Sequence, residues 1–266
     1  WGPIVQAFCG LTYTSRLPGQ PPAGWGYSYM DHLGAYYMAM AVLAGLLYRD
    51  RTGEGQWIDM ACTEAGTTLL GPLLLDYTVN GRSTDDDPAW SSNRGRFPAM
   101  APHGIYPSMD ADRWVAIACR DDAEWIRLRE AIGDGWAQEP RWAGAPGRVA
   151  DADQIDQHMG EWTSKFPVSD LVGLLAAAGV TASLVASPEE RIDLDPGATA
   201  WNLWPEVLHT ELGCVRVDGI PVHFSETDWR IEKGAPCLGE DNERIFGHLL
   251  GREPAELEQL AAEGVI

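Results

Sequence analysis

Residues 33–48 constrain this chain most: they hold no charged side chain and are dense in Leu, Met and Ala. These are strong helix formers, so the stretch reads as a helix apolar on every side, and such a helix is expected to be buried. One acid, Asp31, stands just before it, and the close-set turn Arg51-Thr52-Gly53-Glu54-Gly55-Gln56 follows it. Asp is a favoured N-cap because its oxygens accept the first free backbone N–H groups, and the helix dipole favours negative charge at that end. A carboxylate is therefore expected at the mouth of a buried helix, out of easy reach of water. Taken locally, a structural cap is enough to explain it.

With 266 residues, 45% of them hydrophobic, the chain has material for one large domain or two smaller ones. Nineteen basic against 39 acidic residues give a formal charge of −20. That balance argues against nucleic acid or an anionic membrane as the main partner, and an anionic ligand would need a local basic pocket. Cys9, Cys62, Cys119, Cys214 and Cys237 lie far apart, with no C-x-x-C pair and no His at metal-ligand spacing, which fits a reducing cytoplasm and no metal. The N-terminus lacks the basic region of a signal peptide. The 33–48 stretch is shorter than the roughly twenty apolar residues of a membrane span and contains Gly34 and Gly45, so it reads as core. The first residue is Trp rather than Met, as in a processed chain or a piece of a longer one.

Residues 1–26 carry Gly, Pro and aromatic side chains without helical period, including Gly24-Trp25-Gly26, and read as loops leading to Asp31. Residues 57–62 read as a short strand or the lead-in to a helix, and residues 65–77 as a second apolar helix ending near Asn80-Gly81. The polar stretch 82–102 marks a domain boundary. Beyond it, Gly104-Ile105-Tyr106 and residues 114–119 read as strands. Asp121 or Asp122 can cap a helix over 123–132 that stops at Gly133. Helices are expected over 152–165 and over 169–178, the latter with Ser169 as N-cap and Gly179 past its end, followed by a strand over 180–186. Pro188 opens a short helix. Residues 215–217, Asp218-Gly219 and residues 220–224 carry the signal of a β-hairpin, and helices over 240–250 and 255–263 close the chain.

No dinucleotide fingerprint, P-loop, nucleophile elbow, zinc helix or EF-hand pattern is present, and Gly53-Glu54-Gly55 sets an acid where a phosphate cradle would not. Of six histidines only His32 stands beside a candidate carboxylate. The twelve tryptophans raise a cation–π reading, in which indoles hold a quaternary ammonium acid. Packing on expected elements explains Trp114, Trp125 and Trp162; Trp25, Trp90 and Trp204 are left over.

The string Tyr29-Met30-Asp31-His32-Leu33-Gly34, the apolar helix, Arg49 to Gln56 and Ile58-Asp59 resemble the central block of the family III CoA-transferases, the CaiB/BaiF family. The likeness continues through Ala101-Pro102-His103-Gly104-Ile105-Tyr106, Asp112-Arg113-Trp114-Val115-Ala116-Ile117-Ala118 and Ala178-Gly179-Val180, and ends in Ala235-Pro236-Cys237-Leu238-Gly239-Glu240-Asp241-Asn242. It covers essentially the whole chain, in order.

The resemblance implies an α/β fold. A large domain, Rossmann-like and incomplete here, would take residues 1–88 and 192–266, a small α+β domain residues 89–191, and two chains would interlock as a homodimer. It also implies a cytoplasmic enzyme that moves CoA between an acyl-CoA and a small carboxylic acid, with coenzyme A entering as the acyl-CoA substrate and no metal. Asp31 takes the position of the family's nucleophile, and Trp1, Tyr29 and His32 are the candidate substrate-binding residues beside it. The CoA-binding residues stay unassigned, because family members are normally longer at the N-terminus, and Arg49, Arg51, Arg94 and Arg96 read as turn or surface groups. Some members close the site with a glycine-rich loop; the matching stretch 93–100 has only Gly95. Two alternatives remain. The racemase branch of the family uses a histidine upstream of the aspartate, at or near the place of Trp1, as half of an acid/base pair. A piece without the CoA-binding segment would instead be inert, or a subunit that needs a separate N-terminal partner.

Overall fold

The stretch expected to be loop opens with two short helices, α1 (Gly2–Phe8) and α2 (Leu11–Thr14). Pro3 falls in the first turn of α1, where its missing N–H costs nothing, and Gly10, at φ 95°, reverses the chain before α2. Glycine and proline here mark helix ends. The computed structural model describes residues 1–16, 20–83, 94 and 98–266, in two units, Trp1–Val185 and Ala186–Ile266. Trp90, Arg96 and half of the 93–100 stretch, Gly95 included, lie outside the described residues.

Helix α3 runs over Tyr29–Thr52 and stops at Gly53, which takes the left-handed conformation at φ 79°. Two expectations about it need correction. Ser28, not Asp31, occupies the N-cap position, because Tyr29 and Met30 are wound into the first turn. Met30 is fully buried against Cys9 and Leu11, and that burial sets where the helix begins. Nor is α3 buried all round. Its inner side packs on α1 and on α4 (Cys62–Thr67), with backbones so close that a Cβ on Gly34 would lie 2.6 Å from Cys62 Sγ and one on Gly66 2.8 Å from Met30 Cε. On its other side Tyr36, Met40, Leu43 and Leu47 are 57, 58, 61 and 59% exposed. The absence of charge correctly announced apolar faces, but the described residues cover only one of them. Residues 57–61 have no regular structure, and the second apolar helix is broken: a tight turn at Thr68–Leu70 separates α4 from α5 (Gly71–Asn80).

Beyond residue 98 the first unit holds an antiparallel sheet of β1 (His103–Pro107), β2 (Trp114–Ala118) and β3 (Thr181–Leu184), in that order, with Ile105 opposite Ala116 and Ala116 opposite Ser183. Tyr106, Val115 and Ile117 point to one face. There they meet α6 (Asp122–Ile132), α8 (Ala152–Thr163) and α9 (Val168–Ala177) through Trp125, Leu128, Ile155, Met159, Trp162, Leu171 and Leu175. Asp121 caps α6 by accepting the Glu124 N–H at 2.7 Å, and Gly133, at φ 69°, ends it. The short α7 (Ala145–Ala150) carries the buried Arg148. Its guanidinium donates to the carbonyls of Ala101, Trp142 and Ala143 and to Asp122. Trp125 and Trp162 are core, as expected, whereas Trp114 leans outward from β2. Ser169 does not cap α9: the helix starts one residue earlier, after Pro167, and Asp110 accepts the Val168 N–H at 2.8 Å from a distant part of the chain.

In the second unit Pro188 does open a helical stretch, and α10 (Pro196–Ala200) is capped by Asp195. The hairpin falls earlier than expected, between β4 (Glu206–His209) and β5 (Gly213–Arg216), with Gly213 at φ 75° and His209 Nδ1 accepting the N–H groups of Glu211 and Leu212. Asp218-Gly219 serves a close approach instead. Gly219 donates to the Leu203 carbonyl at 2.8 Å, and a Cβ there would lie 2.7 Å from the Asn202 oxygen. A wide helical turn at Glu243–Leu249 and α11 (Pro254–Ala262) end the chain. Among the described residues, both sheets are antiparallel.

Candidate active site

The mouths of α1 and α3 abut. A Cβ on Gly2 would sit 2.5 Å from the Cβ and Oγ of Ser28, so the first turn of α1 is pressed against the residue from which α3 starts. The buried Gln6 of α1, 2% exposed, donates its side-chain amide to the Tyr27 carbonyl, which also receives the Tyr29 N–H at 2.9 Å. Trp25 donates its indole N–H to Ser15 Oγ at 2.9 Å and meets the Tyr29 ring edge to face, centroids 5.0 Å apart. The approach to Asp31 is thus fixed by side-chain contacts in place of regular structure.

Asp31 stands in the opening turn of α3, exposed, and among the described residues its carboxylate has no hydrogen-bond or ion-pair partner. The expectation of a site away from water is therefore not met by these residues alone. Tyr29 and His32 share that turn with Asp31. Trp1 sits at the head of α1, next to Gly2, with its indole 97% exposed. His32 lies beneath Tyr27, rings stacked at 5.2 Å and 20°, with its Nε2 2.6 Å from the Tyr27 hydroxyl. Sequence reasoning missed Tyr27 and Gln6 and left Trp25 only as an unexplained tryptophan; the aromatic density around Gly24 and Gly26 was the local signal for the two rings.

Among the described residues, Arg49, Arg51 and Arg94 bring no second charged group to Asp31. Arg49 and Arg51 are at the far end of α3, about 27 and 30 Å away at 1.5 Å per residue, and Arg49 pairs with Asp50. Arg94 binds Asp153 and Asp156, and Asp156 also accepts the Tyr106 hydroxyl at 2.6 Å. Burial, and after it the Asp156 carboxylate, pushes the Tyr106 phenol well above its ordinary range, as befits a packed structural group. Trp25 is engaged by Ser15 and Tyr29, and within the second unit Trp204 lines a polar recess with Asp193 and Arg216. The outer face of the β1–β2–β3 sheet is an open groove of about 380 Å³, lined by His103, Ile105, Ala116, Ala118, Thr181 and Ser183. Among the described residues, no cluster of three or more His, Cys, Asp or Glu could hold a metal.

The fold, a long apolar helix followed by a small antiparallel α+β layer, has counterparts among known proteins. The chain belongs to CoA-transferase family III, whose family model matches residues 1–242. It is 28% identical over 267 residues to the succinyl-CoA–D-citramalate CoA-transferase of Chloroflexus aurantiacus, covering 100% of this chain and 64% of that protein. It is 29% identical over 249 residues to the succinate–glutarate CoA-transferase of Agrobacterium fabrum, covering 92% and 60%. A crystal structure of a CaiB/BaiF family protein from Brucella suis superposes with a TM-score of 0.80 at 26% identity, over 94% of this chain and 62% of that one. The chain thus spans about three-fifths of the length of these relatives.

Proposed function

We propose that the protein is a cytoplasmic CoA-transferase with Asp31 as nucleophile. The observation that carries this reading is the position of Asp31: an exposed, unengaged carboxylate in the first turn of α3, in a chain of family III. A carboxylate oxygen attacks the thioester carbon of the donor, the C–S bond breaks, and CoA thiolate leaves a mixed anhydride on Asp31. The thiolate then attacks the Asp31 carbonyl, expelling the donor's acid and giving an aspartyl-CoA thioester. The acceptor carboxylate attacks that thioester in turn, forming a second anhydride and freeing the thiolate. Attack of the thiolate on the acceptor's carbonyl yields the new acyl-CoA and restores Asp31. Each step exchanges one acyl bond for another, so the cycle needs neither ATP nor a metal.

Trp1, Tyr29 and His32 are assigned to the substrate side of the site. The relatives' names point to succinyl-CoA, acetyl-CoA or formyl-CoA as donors and to small dicarboxylic acids as acceptors. The large domain is assigned to residues 1–88 and 192–266 and the small domain to 89–191. The exposed stripe Tyr36, Met40, Leu43 and Leu47 supports a homodimer, because monomers rarely leave such a surface open. The test is to incubate the protein with each of the three donors, without acceptor, and to map the product by peptide mass spectrometry. A CoA-sized addition on the peptide carrying Asp31, lost in Asp31→Ala, is expected. No addition from any donor, with full transferase activity in Asp31→Ala, would refute the reading.

A further inference from the structure

The pair Tyr27–His32 has a polarity that the position of Asp31 alone does not explain. The Tyr27 hydroxyl and His32 Nε2 are 2.6 Å apart and share one hydrogen bond whose direction follows the tautomer of His32; with the phenol, the better donor, donating, it runs from Tyr27 O–H to Nε2. A neutral imidazole that accepts at Nε2 carries its proton on Nδ1, since the hydrogen bond at one ring nitrogen sets the tautomer at the other. Among the described residues Nδ1 has no partner. The turn is rigid where this matters: the Tyr27 carbonyl is held by the buried Gln6, and Ser28 is wedged against Gly2. In a helix every Cα–Cβ bond tilts toward the N-terminus, so Asp31 and His32, consecutive residues of the opening turn, both project from the mouth of α3, on adjoining faces. The Nδ1–H of that tautomer is a donor at the same helix mouth, without a partner among the described residues.

Building on the assignment of Asp31 as nucleophile, we propose that Tyr27 is a positioning residue of the transfer reaction: it holds His32 as the Nδ1–H tautomer, whose N–H stabilises the oxyanion formed when the thioester or anhydride carbonyl is attacked. The proton stays on Nδ1 throughout, and the hydrogen bond strengthens as the carbonyl oxygen gains charge.

Two measurements test this. Nitrogen NMR of the side chains, on the protein alone and on Tyr27→Phe, reports the tautomer of His32. The wild type should show a protonated Nδ1 and an accepting Nε2, and Tyr27→Phe, which keeps the stacked ring, should move the proton toward Nε2. A wild-type ring protonated at Nε2 alone, or an unchanged tautomer in Tyr27→Phe, overturns the proposal. Kinetically, with the donor that labels Asp31, His32→Ala should lower kcat by about a hundredfold, the cost of one oxyanion donor. Tyr27→Phe should lower kcat about tenfold with KM little changed. Full kcat in either variant while Asp31 is still labelled overturns the role of the pair and leaves the nucleophile standing; failure to label Asp31 in the wild type overturns both.

Discussion

Glu124 is the buried acid on which the α6 end of the sheet depends, and its replacement by glutamine has a magnitude that the structure supplies. Its side chain is fully buried. It accepts the Arg120 N–H at 2.8 Å, the Arg120 guanidinium at 3.1 Å and the Thr181 N–H at 2.6 Å, which joins the start of α6 to the end of β2 and the first residue of β3. Burial alone would push this carboxyl up; the donors around it outweigh burial and bring it down from the ordinary 4.5 to about 2. A group whose folded value is depressed contributes stability that is present above its unfolded value and lost as pH falls through the folded one. The gap of about 2.5 pH units, at about 1.36 kcal/mol each, amounts to about 3 kcal/mol at neutral pH. Glutamine leaves one acceptor oxygen and turns an NH2 toward backbone N–H groups, so Glu124→Gln should lose about that much. The difference between wild type and variant should then be roughly halved at pH 3, where wild-type Glu124 has given up part of its advantage. Urea unfolding at pH 7 and pH 3, followed by the emission of the buried Trp125, Trp142 and Trp162, measures both quantities. A loss under about 0.5 kcal/mol at pH 7, the range of ordinary surface changes, would refute the account, as would a difference that does not narrow at pH 3.

His223 offers a titration of opposite sign. Its Nδ1 faces Asp228 at 2.8 Å and its Nε2 the Trp201 carbonyl at 3.0 Å, between the rings of Trp201 and Trp229. The Asp228 carboxylate, then the Trp201 carbonyl, raise the imidazole above its ordinary 6.5. The contacts it adds are complete below 6.5 and are lost as pH rises through the raised value; Asp228→Asn should move the NMR titration midpoint of His223 back down, and an unmoved midpoint would contradict this. For the exposed side of α3, the double variant Met40→Glu/Leu43→Glu is expected to shift sedimentation from dimer to monomer, and an unaltered dimer would remove that stripe from the interface.

What the sequence made legible was chiefly what neighbours in the chain decide. Asp121 and Gly133 bound α6 because a cap and a left-handed stop act within one helical turn, and residues 114–118 form the strand that their own side chains signalled. Signals that compete with distant partners failed. Asp218-Gly219 carries a turn signal, yet the approach of the Asn202 and Leu203 carbonyls claims that glycine. Ser169 is a good cap by type, but Asp110, brought in by the fold, supplies the acceptor one residue earlier. At the site, the position of Asp31 was readable and its helical register was not, because Met30 is drawn down between Cys9 and Leu11 by contacts with another helix. Tyr27 carried no local signal beyond the aromatic density around Gly24 and Gly26, since its contacts with Gln6 and His32 are made by residues meeting in space.

The acid and the apolar stripe lie on one helix, and that has a chemical consequence. Tyr36 is five residues from Asp31, about 7.5 Å along the axis but about 140° round it at 3.6 residues per turn, so the stripe and the acid open on different sides of α3. A mixed anhydride on an exposed aspartate reacts with water as well as with thiolate, and partition toward transfer requires that water be kept out. A surface that covers only the stripe leaves the acid open, so loss of assembly and loss of water exclusion are separable. With Asp31, Tyr27 and His32 all intact, Met40→Glu/Leu43→Glu should leave the ratio of donor-thioester hydrolysis to transfer unchanged. A ratio that rises in the variant would show that whatever covers the stripe also reaches round to the mouth of α3.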